Sequence, residues 1–379
     1  MLQRYERKYE ENLFESVLPF WLRHSLDREH GGYFTALNAE GQVYDTRKYV
    51  WLNGRQVWTL SKLYNEAGGN PEWLDAARLG AEFLRKHVFD ERGRCWFSLT
   101  RDGKPAFFQR KPYGAAFVML GFNEFARATG EASYRDTAQE LFRRIRTWIA
   151  DPTLLGRPAS QASLLADVYI VLSMGLETGD HDAVREMLAA IDVHWHAPKR
   201  LFLENAVLDE SRRFEYPEGR LICAGSNFEI AWLLLDALEI FPDENKKQMV
   251  LAALEGALEF GWDREHGGFF YFQDVEGAPT LQLESSMKLW WVHAEAILAL
   301  VRAYEVTRDI KWLRWLEAVD EYTFSHFPDA RYGEWFGYLD RYGRPTHTLK
   351  GNNYKGCFHI PRALWLSLKS MRRCATSSR

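Results

Sequence analysis

The sequence predicts an all-α fold, an (α/α)6 barrel or toroid with short β-hairpins between helix pairs. Three observations predict it. Residues 27–34 (DREHGGYF) and 263–270 (DREHGGFF) agree at seven of eight positions across 236 residues. Related turn-rich aromatic segments are centred near Tyr33, Trp96, Phe202, Phe269 and Trp335, at gaps of 63, 106, 67 and 66 residues. Helices of two kinds alternate between these segments. A fixed period marks a repeat architecture, and six units of about 60 residues fill the 379-residue chain.

The elements follow in order. A first outer helix is expected near residues 4–24, then the DREHGGYF corner. RQVWTLSKLYNEAG is apolar over most of its surface, as a helix buried on both sides must be. PEWLDAARLGAEFLRKHV places Trp73, Ala77, Ala81, Leu84 and Val88 on one face, with Asn70 as N-cap and Pro71 as first helical residue. DERGRCWFSLTRDGKP forms the second corner. The buried-type AAFVMLGFNEFARATG and the one-sided ASYRDTAQELFRRIRTWI follow, the latter with Tyr134, Ala138, Leu141, Ile145 and Trp148 on its apolar face. The wide gap calls for another corner near DPTLLGRPAS, from Asp151. ADVYIVLSMGLETG, FEIAWLLLDALEI and HAEAILALVRAYEVT continue the inner series, and KWLRWLEAVDEYTF the outer one. A last inner helix is expected near 359–374. Six outer and six inner helices close a ring, because the first outer and last inner helices complete one another. No linker rich in Pro, Gly or Ser interrupts the chain, so a single domain over 1–379 is expected.

Composition narrows the function. Hydrophobic residues make up 46% and charged residues 26%, and the net charge is −4, which gives no basis for nucleic-acid or anionic-membrane binding. Four cysteines without C-x-x-C spacing, and an N-terminus lacking an apolar signal core, imply a cytoplasmic protein with free thiols. The 15 Trp, 17 Tyr and 24 Phe exceed what is usual, and ring faces suit a sugar-sized cleft. GNNYKG at 351–356 lacks phosphate-loop spacing and no H-E-x-x-H occurs. The adjacent Glu and His of EHGG diverge on a turn, so the motif reads as a corner and not as a metal site.

Polar residues gather where the inner helices begin: Arg55; Glu204 and Asn205; Ser226, Asn227 and Glu229; Glu284, Lys288, Trp290, Trp291, His293 and Glu295; His359 and Arg362. Helix starts that converge on one mouth of a barrel place such groups in one pocket, and clustered titratable groups in a cleft point to chemistry. Buried charges there need partners, and an Arg among carboxylates and a His forms a paired network.

The segments DREHGGYF, KYVWLNGRQVW, WDREHGGFFYFQD, KLWWVHAEA, YGEWFGYLDRYG and KGCFHIPRA resemble the N-acylglucosamine 2-epimerase family, once called renin-binding proteins, over about residues 14–365. The resemblance implies an (α/α)6 barrel, interconversion of sugars at C2 without a redox cofactor, ATP as an effector that is not consumed, and a homodimer. It implies Arg55, Glu229, Glu295 and His359 as catalytic residues; of the other groups at the helix starts, Ser226, Glu204, Asn205, Trp290, Trp291 and His293 are expected to bind substrate. One position departs. The family's N-P-G-H is here Cys223-Ala224-Gly225-Ser226, so a second catalytic His is replaced by Ser226. Ala115 likewise stands where the acetamido-sugar epimerases often carry an acid. A C2 epimerase is therefore expected. An aldose–ketose isomerase of the mannose/fructose type is a second reading, since one base can move a proton from C2 to C1. A catalytically impaired sugar-binding or regulatory protein is a third.

Overall fold

A computed structural model describes residues 2–159, 162–207 and 209–376. The helices run α1 Leu2–Glu11, α2 Leu18–His24, α3 Val50–Glu66, α4 Pro71–His87, α5 Tyr113–Thr129, α6 Ala132–Ala150, α7 Leu165–Thr178, α8 His181–Ala190, α9 Ala224–Ile240, α10 Glu244–Gly261, α11 Trp290–Thr307, α12 Ile310–His326 and α13 His359–Thr376. A π-helical turn, Asn12–Val17, joins α1 to α2 into one outer rod. Pro19 lacks the N–H that an α-turn would direct at the Glu15 carbonyl, which accounts for the wider turn before it. The rod, α4, α6, α8, α10 and α12 form the outer layer. The inner helices α3, α5, α7, α9, α11 and α13 each pack on the next, and α13 returns to α3, so the ring closes. The rod packs on α13 and completes the outer circuit.

The two helix classes separate as their sequences require. In α6, Tyr134, Ala138, Leu141, Ile145 and Trp148 are all buried, and its charged face is exposed. In α9 burial runs almost unbroken from Ala224 to Leu235. Trp73 of α4 stacks on Phe14 of the rod at 5.7 Å.

Each expected corner is a tight antiparallel contact: Leu26 with Tyr33, Phe89 with Cys95, Trp262 with Phe269, Pro328 with Trp335, and the strand pair Trp195–His196 with Leu201–Phe202. The corner expected at DPTLLGRPAS differs. Its described residues, 151–159, form a 3-10 turn over Pro152–Leu155, with the Asp151 carboxylate accepting from Thr153 N–H at 3.0 Å. Pro152 presets φ for the first residue of that turn. Ser160 lies outside the described residues.

The repeated octapeptide is structural in both copies. Asp27 Oδ1 accepts from the N–H groups of Glu29 and His30 at 3.2 Å each, and its Oδ2 receives Lys48 Nζ at 2.9 Å. Asp263 repeats this with Glu265, His266 and Lys288. Gly32 and Gly268 have φ of +72° and +71°, and a Cβ on Gly268 would lie 2.4 Å from the Tyr322 ring. Only glycine fits both the backbone and the contact.

Candidate active site

The starts of α3, α7, α9, α11 and α13 open on one cavity of about 520 Å³, lined by Trp51, Arg55, Tyr169, Glu229, Tyr271, Glu284, Met287, Leu289, Trp290, Trp291, Tyr338, Tyr354 and His359. That volume suits a mono- or disaccharide, and ring faces dominate its wall.

His359 opens α13. Its Nδ1 lies 2.8 Å from Glu295 Oε1, so Nδ1 carries the proton and Nε2 keeps its lone pair. Burial, reinforced by the nearby charge of Arg55, holds the imidazole pKa well below its usual value, so the ring is neutral at physiological pH. Trp291 lies against the ring, with centroids 5.5 Å apart. Glu295 is fully buried yet saturated: Trp232 Nε1 donates to Oε2 at 2.8 Å and Arg362 Nη2 to Oε1 at 2.7 Å. Arg362 also donates to Glu229 Oε1. One guanidinium thus bridges two buried carboxylates and lies one helical turn from His359.

Arg55 differs from Arg362. Its guanidinium carbon lies 3.9 Å from the Phe117 ring centre, 4.6 Å from that of Trp51 and 4.8 Å from that of Phe358. Its Nε has no hydrogen-bond partner. Burial pulls its pKa down to about 9, against the opposing pull of Glu229, so it remains cationic at neutral pH. A buried cation with unused donors at a cavity wall is a ready site for developing negative charge on oxygen.

Ligand atoms of Glu229, Glu295 and His359 lie within 4.8 Å of one another, a spacing that could hold a metal ion. Arg362 already occupies the place of a cation between the two carboxylates, so this donor set is filled by the protein's own charge.

The structure brings together Arg55, Glu229, Glu295, His359, Trp290 and Trp291. Ser226 is buried on the first turn of α9, and neither it nor Glu204 is among the residues lining the cavity. Two more expected substrate-binding residues are placed elsewhere. His293 is fully buried: its Nδ1 hydrogen-bonds Leu289 O at 2.7 Å and its Nε2 accepts from Phe269 N–H at 3.0 Å. It anchors the DREHGGFF corner. Asn205 pairs through its backbone with Leu164, and its side chain donates to Glu218 O at 2.9 Å, which ties down the loop before α9. Its neighbourhood in sequence to Glu204 suggested the site, but successive strand residues face opposite ways. Tyr169, Tyr271, Tyr338, Tyr354 and Trp51 are cavity walls that sequence reasoning missed. Arg362 was visible as a charge at a helix start, and its spacing of three from His359 was the signal for its role.

A closed ring of helix pairs whose inner starts frame an aromatic cavity, with a neutral histidine and an arginine facing it, defines a carbohydrate-active α/α barrel. The sequence model of the family described as N-acylglucosamine 2-epimerase (GlcNAc 2-epimerase) matches residues 32–163 and 185–363. The N-acylglucosamine 2-epimerase of Bos taurus is 41% identical over 372 residues, covering 92% of this chain and 87% of that protein. The chain belongs to the N-acylglucosamine 2-epimerase family. In fold it is similar to the cellobiose 2-epimerase of Spirochaeta thermophila, with a TM-score of 0.84 at 22% identity over 100% of this chain and 98% of that one. A D-mannose isomerase superposes with a TM-score of 0.83 at 19% identity, over 96% of this chain and 97% of that one.

Proposed function

We propose that the protein is a carbohydrate C2 epimerase acting on an open-chain aldose, with an N-acylated hexosamine as the favoured substrate. The 41% identity to the bovine N-acylglucosamine 2-epimerase supports that substrate class. The observation that carries the chemistry is His359, held neutral by burial and oriented by Glu295, in one cavity with the unpartnered Arg55.

The C2 proton of an aldose is acidic because the C1 carbonyl delocalises the carbanion into an enediolate. His359 Nε2 removes or returns that proton, and Arg55 stabilises the oxygen that gains charge. Glu295 fixes the tautomer of His359. Arg362 offsets one of the two charges on Glu229 and Glu295, and Arg55, close enough to feel both, offsets the other, so the base acts next to a balanced network instead of two bare anions. Trp290, Trp291 and the cavity tyrosines offer ring faces to the sugar. Proton transfer at C2 leaves the oxidation state unchanged, so the reaction calls for no redox cofactor. A homodimer, ATP as an effector and a cytoplasmic location are our further expectations, the last in keeping with four free cysteines, three of them buried. Among the described residues no helix is long and apolar enough to cross a membrane.

The test is proton NMR in D₂O with N-acetylmannosamine, N-acetylglucosamine, mannose and cellobiose. Deuterium at C2 with appearance of the epimer supports the proposal. Ketose as the sole product would move the assignment to isomerase. Sugar binding without C–H exchange would make it a binding protein.

A further inference from the structure

The barrel axis carries a second cavity. It lies toward the far mouth, where the inner helices end, and has a volume of about 500 Å³. All six inner helices contribute to its wall. His359 lines the first cavity, and its chain neighbours Phe358 and Arg362 line the second, so the start of α13 separates the two. The C2 chemistry makes no use of this second space.

Helix register builds it in two layers. The ninth residues of α3, α7, α9 and α11 are Trp58, Ser173, Trp232 and Leu298, which form the floor. One turn further on, the thirteenth residues are Lys62, Glu177, Asp236 and Arg302, which form a charged rim. Residues four apart on a helix differ by about 40° in direction, so both layers face the axis. On the floor, Trp58 meets Phe358 edge to face with centroids 5.3 Å apart, and the Arg362 guanidinium carbon lies 5.2 Å from the Trp232 ring centre.

Two polar groups of this wall have no partner. Trp58 Nε1 and Arg362 Nε are buried and unbonded, on side chains 4% and 5% exposed. Both are donors, so both call for an oxygen that accepts. Arg362 directs Nη2 to Glu229 and Glu295 on the active-site side, which leaves Nε for the second cavity. The rim cations, in contrast, are all paired. Lys62 holds Glu66 and Glu177 at 3.1 and 3.3 Å, and Arg302 holds Asp236 and Glu239 at 2.6 and 2.8 Å. Arg127, Lys369 and Arg373 pair with Glu124, Glu66 and Glu305. Five cations thus meet six carboxylates, and a charged ligand would gain little Coulomb energy there. Hydroxyl groups both donate and accept, which suits a rim of interleaved N–H groups and carboxylates. The ring faces of the floor suit the C–H face of a pyranose.

We propose that this far cavity binds a neutral saccharide and is a second carbohydrate site of the chain. A sugar seated there lies over Trp58 and Trp232, accepts from Trp58 Nε1 and Arg362 Nε, and exchanges hydrogen bonds with the rim. Arg362 then touches sugar on one side and holds the active-site carboxylates on the other. The proposal concerns binding alone and stands whichever reaction the first cavity performs.

The test is fluorine NMR of the full chain labelled with 5-fluorotryptophan, titrated separately with N-acetylglucosamine, mannose, cellobiose and inorganic phosphate. Trp58→Phe and Trp291→Phe identify one resonance in each cavity. At least one sugar should move the Trp58 resonance along a saturation curve whose midpoint differs from that of Trp291, and phosphate should move it little. Ser173→Phe fills the far cavity from a half-buried position, and Leu176→Phe does so from a second wall position. Each should abolish the Trp58 shift and leave the Trp291 response unchanged. A Trp58 resonance that no sugar moves would overturn the proposal. So would a Trp58 curve that coincides with that of Trp291 and survives both filling variants, since the shift would then be transmitted from the first cavity. A response to phosphate alone would make the cavity an anion site and overturn it equally.

Discussion

The bridge made by Arg362 yields a prediction with a sign reversal. Replace Arg362, 5% exposed, by Met, which roughly fills its stem volume. Two carboxylates, Glu229 and Glu295, then face each other with oxygens within 4.8 Å and no cation between them. At an effective dielectric of about 20, their repulsion is about 3.5 kcal/mol, before counting the lost charge-assisted hydrogen bonds. This agrees with the roughly 3–5 kcal/mol seen when one partner of a buried ion pair is removed. With an unfolding entropy of about 2.1 cal/mol/K per residue over 379 residues, the repulsion alone lowers the melting temperature by about 4 °C. The decisive step is a double-mutant cycle with Glu229→Gln, read by calorimetry at neutral pH. In the wild-type background Glu229→Gln should destabilise, because it takes a partner from Arg362. In Arg362→Met it should stabilise, because it removes one of two repelling charges. A Glu229→Gln substitution that lowers the melting temperature equally in both backgrounds would refute the bridge.

Arg55→Met should lower kcat/KM by about 10²–10³-fold, as loss of an oxyanion donor does, yet leave the melting temperature unchanged or higher, since it removes a buried cation whose Nε has no partner. A parallel loss of stability and activity would argue that Arg55 is structural. His359→Gln should abolish C2 exchange on one face, and the wild-type acid limb for exchange through His359 should fall below pH 6.5, because a base of depressed pKa stays neutral as pH drops. Mass spectrometry of labelled sugar across a pH series checks both. His293→Asn should keep activity and fold, whereas His293→Ala should lose about 1–3 kcal/mol by stranding the Phe269 N–H. Loss of substrate affinity in a folded His293→Asn variant would restore it as a binding residue.

What could be read from the sequence was what repeats or stands out against its surroundings. The corners recur at a period, and the buried helices betray themselves by lacking a polar face, so the ring was legible throughout. The sixth corner was not: its described residues form a 3-10 turn, and position in the period does not reveal backbone conformation. Arg55, Glu229, Glu295 and His359 were legible as charges in apolar helix starts. The cavity tyrosines were not, since in a chain with 17 Tyr and 24 Phe a ring on the wall reads like a ring in the core. His293 and Asn205 were misassigned because nearness to a helix or strand end says nothing of which way a side chain points.

Register resolves that ambiguity. The fourth residues of α3, α9 and α11 are Asn53, Asn227 and His293, and each accepts the N–H of its own corner aromatic, Tyr33, Phe202 or Phe269. Asn53 and Asn227 also donate to the carbonyl of the residue capping their helix, Tyr49 or Cys223, and His293 places Nδ1 on that of Leu289. The sixth residues of the same helices are Arg55, Glu229 and Glu295. Two residues on a helix are about 200° apart, so a fourth residue turned to the corner sends the sixth toward the barrel axis. The corner clamp therefore aims the chemistry, which explains why three site residues share one position in the repeat. The remaining helices support this by contrast. α5 and α7 have no such clamp at their fourth residues, Ala116 and Val168, and their sixth, Val118 and Ile170, are buried and apolar. The charged helix residues that line the active-site cavity, Arg55 and Glu229, come from helices whose starts are pinned, and His359 from α13. A barrel of six similar units thus gathers at this mouth the reactive groups of its pinned helices and of α13.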